Sequence, residues 1–192
     1  MKITVYGAAS AAIDNKYVAA VELLGEKLAE RGHSLVFGGG KTGLMGAAAR
    51  GVKRKGGKIL GIIPEFFKKT KSEILFEDCD EIIWTADMYQ RKMLLESRCD
   101  AIIITPGGMG TYDEFFGVLT TKQLKRHSKP IAVFNVDGFY DKLFEFVKSA
   151  SEKDFIKGNY VKLYGTSNDP DGVLDIIENA ETDLGNENFK NV

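Results

Sequence analysis

Residues 100–119 read DAIIITPGGMGTYDEFFGVL. An apolar, β-branched run ends in a proline and three glycines, and a helix-like stretch from about Thr111 to Arg126 follows. Strand, glycine turn and helix in that order make one half of a β-α-β unit, and the rest of the chain keeps the alternation. The apolar runs KITVY (2–6), SLVF (34–37), KILGII (58–63), EIIW (81–84), DAIIIT (100–105), PIAVFN (130–135) and YVKLYG (160–165) read as strands. Helix-like stretches cover 14–31, 44–55, 87–98, 111–126 and 139–151, with a last one after Pro170. Most of these strand runs are continuously apolar instead of alternating, as expected where helices cover both faces of a sheet. The expected fold is therefore α/β, a Rossmann-like doubly wound, mostly parallel sheet with helices on both faces. Ligands of such sheets sit at the carboxyl ends of the strands, where the glycine turns lie.

The 192 residues are expected to form one α/β domain over 1–179 and a polar tail over 180–192, AETDLGNENFKNV. A net charge of −1 gives no reason to expect nucleic acid or an anionic membrane as partner. No apolar run approaches the ~20 residues of a membrane helix, and MKITVYG enters a strand at once, without a leader. A cytoplasmic protein is expected, in which Cys79 and Cys99 are inert thiols. With only His33 and His127, a multi-histidine metal site is excluded. No metal and no cofactor are expected, and chemistry falls to carboxylates, arginine or lysine.

Two glycine loops invite a ligand. In GGGKTGLMG (38–46), a P-loop would need glycine where Leu35 stands. Gly38, Gly40 and Gly43 match the spacing of a dinucleotide fingerprint, but after the second strand instead of the first, and Glu65 follows a proline. We read them as a tight turn with close helix–strand packing, compatible with a phosphate or ribose nearby. In PGGMGTYDE (106–114), Gly107, Gly108 and Gly110 permit positive φ and leave backbone amides bare. The following helix adds its own free amides and dipole, which suits a phosphate. Glu114 has two readings: partner of Thr111 in a capping box, or an acid acting on the ligand. Upstream, DMYQRKMLLESRCD (87–100) puts Arg91 on one helical face with Met88, Leu94 and Leu95. Its position alone suggests snorkelling, with an anionic partner as the alternative. Lys92 and the acidic patch FEDCDE (76–81) read as solvated.

GGGKTGLMG, DMYQRK, PGGMGTYDE and NVDGFYD (135–141), in that order, resemble the Lonely guy (LOG) family of cytokinin riboside 5′-monophosphate phosphoribohydrolases, long labelled lysine decarboxylases. The resemblance runs from about Lys2 to Lys157. It implies a nucleotide-binding N-glycosidase that releases an adenine-type base and ribose 5-phosphate from nucleotides such as AMP or N6-isopentenyl-AMP. Arg91 and Glu114 fall on the family's catalytic pair. Its substrate contacts fall on Glu73, Lys92, Gly107, Gly108, Met109, Gly110, Thr111, Tyr112, Asp113 and Thr120. The family's homodimers share active sites at the interface, so a homodimer is expected, with the Met88, Leu94 and Leu95 stretch as a candidate contact. Tyr89 stands where the family commonly has histidine, Tyr112-Asp113 where Leu-Glu is common, and YGAAS (6–10) where Gly-Ser-Ser is usual. These departures bear on the preferred base or phosphate more than on the reaction. The alternative is a non-catalytic nucleotide or molybdenum-cofactor carrier of related fold. Nothing in the sequence reads as a pyridoxal-phosphate site, which the lysine decarboxylase label would require.

Overall fold

The computed structural model describes residues 1–70, 75–156 and 160–180. Strands β1 (Lys2–Tyr6), β2 (Ser34–Phe37), β3 (Ile59–Pro64), β4 (Glu81–Thr85), β5 (Ala101–Ile104), β6 (Ile131–Phe134) and β7 (Gly165–Ser167) form one sheet. Between and after them lie α1 (Asn15–Glu30), α2 (Gly43–Arg54), α3 (Phe66–Thr70), α4 (Met88–Ser97), α5 (Met109–Gln123), α6 (Asp141–Glu152) and α7 (Pro170–Glu178). Every strand pair is parallel, in the order β4-β3-β2-β1-β5-β6-β7. The order reverses between β1 and β5, so the turn that opened the sequence reading lies at the switch point.

Asp14, Asp87 and Asp169 start α1, α4 and α7 by accepting from the amides of Lys16, Gln90 and Gly172. Strand side chains then divide by parity between two cores. Ile3, Val5, Leu35, Phe37 and Ile103 pack with α1, α2 and α7. Tyr6, Val36, Ile102 and Ile104 pack with Leu95 of α4 and with Phe115 and Val118 of α5. Thr4, on this second face, is fully buried and donates its hydroxyl to Leu95 O at 2.7 Å.

Two expected elements move. The run YVKLYG is not a strand: Tyr160–Lys162 is a 3-10 turn, and β7 follows at Gly165–Ser167. Its apolar signal comes from packing, since Leu163 is buried and the Tyr164 ring meets Phe115 and Phe144 at 5.4 and 5.7 Å between centroids. Helix α5 begins at Met109, two positions before Thr111, because Gly108 serves as its N-cap.

Side chains and loops tie the switch point together. Thr105 N and Oγ1 both donate to Tyr6 O, at 2.8 and 2.9 Å, and Ala8 N donates to Pro106 O at 3.1 Å. The NVDGFYD turn braces the same place from beneath. Asn135 Oδ1 accepts from Tyr140 N at 2.8 Å, and the Tyr140 hydroxyl donates to Thr105 O at 2.8 Å. Tyr140 is fully buried, so Tyr140→Phe should cost about 1 kcal/mol, the usual net worth of such a bond. Urea unfolding checks this, and an unchanged midpoint would show that the bond braces nothing.

Candidate functional site

The loops after β1, β2, β3 and β5, together with α4, enclose a cleft of about 670 Å³ at the carboxyl end of the sheet. Gly7 to Ser10 form one wall, Thr42, Met45 and Phe67 another, and Gly108, Gly110 and Thr111 a third; Arg91 and Glu114 face the same space.

Arg91 does not snorkel. It is only 8% exposed, on the inward face of α4 that also carries Leu95. Its Nε donates to Ile62 O and one terminal nitrogen to Gly38 O, both at 3.3 Å. These carbonyls of β3 and the β2 loop hold two of the guanidinium N–H groups, and among the described residues the others have no partner. Gly38 is required by this arrangement, because a Cβ there would collide with the guanidinium. Among the described residues no carboxylate closes an ion pair with Arg91, an expensive state for a buried cation unless an anion arrives.

Glu114 is not in a capping box. With Gly108 as N-cap, Thr111 and Glu114 lie inside the helix, and no side chain caps its start. Helix α2, whose cap Thr42 also lines the cleft, likewise has no side-chain cap bond. The start of α5 thus presents amides toward the cleft, a setting suited to an anion, whereas the Leu44 and Met45 amides at the start of α2 are taken by Ala8 O at 2.8 and 3.5 Å. The second loop does not use the positive φ its glycines permit: Gly39 and Gly43 in the first loop have it, but Gly107, Gly108 and Gly110 do not. Their lack of side chains matters instead. A Cβ at Gly107 would strike the Thr111 side chain, whereas Gly108 and Gly110 open onto free space within the cleft wall.

Burial pushes the Glu114 carboxyl up to about 7, with Arg91 and then Lys92 pulling it down and Asp113 and Glu96 adding to the rise. Desolvation outweighs the nearby cations. The group therefore changes charge near neutral pH, the range suited to general acid–base work.

The other candidates divide. Arg91, Glu114, Gly108, Gly110 and Thr111 come together in the cleft, with Gly107 buried directly behind them. Lys92 is not simply solvated: its ammonium bonds Asp113 Oδ1 at 3.0 Å and Asp113 O at 3.2 Å, bridging α4 to α5. Tyr112 turns to the second core, edge-on to Tyr140. Met109 is exposed, and Thr120 is exposed with its hydroxyl donating to Phe116 O at 2.7 Å. Lys92, Met109, Tyr112, Asp113 and Thr120 are thus not part of the cleft wall of one chain. Glu73 lies outside the described residues. Sequence reasoning named none of Gly7–Ser10, Thr42, Met45 and Phe67 as contacts, although it read the loops 6–10 and 38–46 as bearing on a ligand. Their position after parallel strands is the signal that would have found them.

A family model described as possible lysine decarboxylase matches residues 45–177. The cytokinin riboside 5′-monophosphate phosphoribohydrolase LOG2 of Arabidopsis thaliana is 36% identical over 92% of this chain and 82% of its own. LOG7 of the same plant is 39% identical over 81% of this chain and 70% of its own. Among solved structures, the molybdenum cofactor carrier protein of Chlamydomonas reinhardtii superposes with a TM-score of 0.69 at 21% identity, covering 92% of this chain and 95% of that one. The molybdenum cofactor binding protein of Rippkaea orientalis gives 0.66 at 20% identity, over 92% and 93%. At such identities the carriers share the fold. The sequence relatives share much more, and the chain belongs to the Lonely guy (LOG) family of cytokinin riboside 5′-monophosphate phosphoribohydrolases.

Proposed function

We propose that this chain hydrolyses the N-glycosidic bond of adenosine 5′-monophosphates, plain or N6-modified, to free base and ribose 5-phosphate. The observation that carries the reading is one cleft holding a buried arginine, without a carboxylate partner among the described residues, beside a carboxyl that titrates near neutrality. In the reaction the C1′–N bond breaks with its electron pair going to the base, and a water oxygen bonds to C1′. Ionised Glu114 stabilises the oxocarbenium charge on the ribose and accepts the proton of that water. Arg91 offsets negative charge on the phosphate or the departing base. The amides at the start of α5 hold the 5′-phosphate, while Met45 and Phe67 give the cleft an apolar wall. A non-catalytic carrier would also bind the nucleotide but would not need an acid poised in this way.

Incubation with AMP and with N6-isopentenyl-AMP, followed by chromatography for free base, tests the reading. Base from either supports it, and nucleotide bound without release of base from either overturns it in favour of a carrier. Because Glu114 must be ionised, kcat/KM should fall as pH drops through about 7. Glu114→Gln should abolish release. It should not weaken the fold, since burial makes the ionised form the costly one. With a folded-state pKa above the usual 4.5, the carboxyl takes stability away as pH rises through 4.5 to about 7. The glutamine variant should therefore gain on the wild type above pH 7 and match it below about pH 4. A thermal melt at both pH values checks the sign.

Gly110→Ala separates a ligand role from a backbone role. There is open space for the methyl, and alanine within a helix favours folding by about 0.5–1 kcal/mol. The variant should melt no lower than the wild type, yet its KM for AMP should rise at least tenfold. An unchanged KM would remove the glycine wall from the phosphate site.

A homodimer in the cytoplasm forms part of the proposal. No helix among the described residues is long and apolar enough to cross a membrane. The expected apolar contact needs revision, because Leu95 is buried in its own core and Leu94 packs against it. The exposed residues are Met88, Tyr89 and Met93 on α4 with Met109 and Phe116 on α5 and Leu124 at its C-cap; Tyr89 is 88% exposed. Thr120 sits one turn from both Phe116 and Leu124, so a partner docked there would cover it. Met93→Glu should shift the mass in light scattering from dimer to monomer and lower base release at least tenfold. A wild-type monomer across micromolar concentrations would sink the dimer.

A further inference from the structure

Among the described residues, the Tyr6 hydroxyl is the one buried side-chain polar atom without a hydrogen-bond partner. The residue is 2% exposed. Leaving such a group unpartnered costs roughly 1–3 kcal/mol, and phenylalanine would fill the same space without that cost. Hydroxyls nearby are all engaged: Thr4 with Leu95 O, Thr105 with Tyr6 O, and Tyr140 with Thr105 O.

Its location suggests what the hydroxyl serves. Tyr6 ends β1 at the switch point, paired with Ile104 of β5. Its ring lies in the core layer with Leu95, Cys99, Phe115 and Val118. Leu95 follows Arg91 by one helical turn, and Val118 follows Glu114 by one turn, so each pair shares an inward face. The Tyr6 ring therefore shares a core cluster with the residues one turn along the faces of α4 and α5 that carry Arg91 and Glu114. The charged and titratable groups around it are Glu114 from α5, Glu96 and Arg91 from α4, and Cys99 just after α4. Burial first, and then Glu114, Glu96 and Cys99, raise the phenol well above its usual 10, against the opposing pull of Arg91. It keeps its proton throughout the physiological range and can only be a donor to a carboxylate.

We propose that Tyr6 is a positioning residue whose hydroxyl donates a hydrogen bond to the Glu114 carboxylate when a nucleotide enters the cleft. The proposal rests on the hydrolase reading of the site. Catalytic hydrogen bonds are often long in an empty site and tighten in the complex. A donor to the charged form favours that form. The bond would thus ionise Glu114 as the ribose arrives, offsetting the desolvation that raises its pKa in the empty cleft.

Tyr6→Phe removes one oxygen and tests this directly. Glu114 can be titrated by carbon-13 NMR in both proteins, empty and with ribose 5-phosphate bound. The expected midpoints agree in the empty proteins. With ribose 5-phosphate, Glu114 should titrate about one pH unit lower in the wild type than in the variant. The variant should melt at the same temperature or higher, while kcat for base release falls about tenfold. A purely structural tyrosine would lower the melting temperature and leave the bound-state midpoints equal. Equal midpoints with ligand bound overturn the proposal. Failure of the hydrolase reading would appear separately, as no base released by the wild type, with the titration still deciding the role of Tyr6.

Discussion

Between β1 and β5 the sheet changes direction, and the crossovers that leave these two strands go opposite ways. The loops after the strands close the sheet at that point. They do so by bonding to one another and to the helix that follows: Thr105 to Tyr6, Ala8 to Pro106, and Leu44 N in the first turn of α2 to Ala8 O at 2.8 Å. The cleft is the space these loops leave when their backbones are satisfied by each other instead of by a covering element. The close approach explains Gly7, where a Cβ would strike Thr105, and Gly43, where one would meet the Ala8 carbonyl at a φ of 61°. Arg91 and Glu114 gain their environment from the same geometry, because α4 and α5 flank the crevice and turn one side chain each into it.

Charge is treated differently in the cleft and on the surface. Arg31 bonds Asp171, Asp175 and Glu178 and so joins α1 to α7. Arg54 is held by Glu22 and Glu26, and Lys92 by Asp113. In the cleft, Arg91 is buried against carbonyl dipoles and Glu114 is raised toward neutrality, with no ion pair joining the two. A direct pair would hold the carboxylate ionised and leave both groups less available to a substrate. Keeping them apart costs folding free energy and leaves the cation for a phosphate or leaving group and the acid for the ribose. The unpartnered Tyr6 hydroxyl belongs to the same economy of withheld bonds.

Much of this was legible in the sequence, and the failures have physical causes. Strands buried on both faces are continuous apolar runs, so six of the seven were located within a residue or two. The seventh, GTS, has no apolar signal because it is a short edge strand, while YVKLYG drew its hydrophobicity from rings packed on α5 and α6. The helix-like stretches over 14–31 and 87–98 began on the residues that serve as N-caps, Asp14 and Asp87. Thr111 and Glu114 mimicked a capping box because spacing alone does not say which residue takes the N-cap position, and Gly108 took it. Arg91 was ambiguous for a related reason. A cation on an apolar face can reach out to water or inward, and the inward carbonyls of Ile62 and Gly38 belong to residues 29 and 53 positions away. Long-range partners of that kind leave no trace in local pattern.

The lysine decarboxylase label attached to the family can be weighed on the same cleft. Pyridoxal-phosphate chemistry needs a lysine amine beside a phosphate cup. Among the described residues no lysine lines the cleft wall. Lys92, the nearest in sequence to Arg91, is engaged with Asp113, and the ammonium of Lys68, next to Phe67, stacks 3.6 Å above the Trp84 ring centroid. The phosphate-binding features that suggest a cofactor cup are therefore joined to a carboxyl and a guanidinium. That combination fits cleavage of a ribosyl bond, where charge builds on a sugar and departs on a base, and offers no amine for an imine.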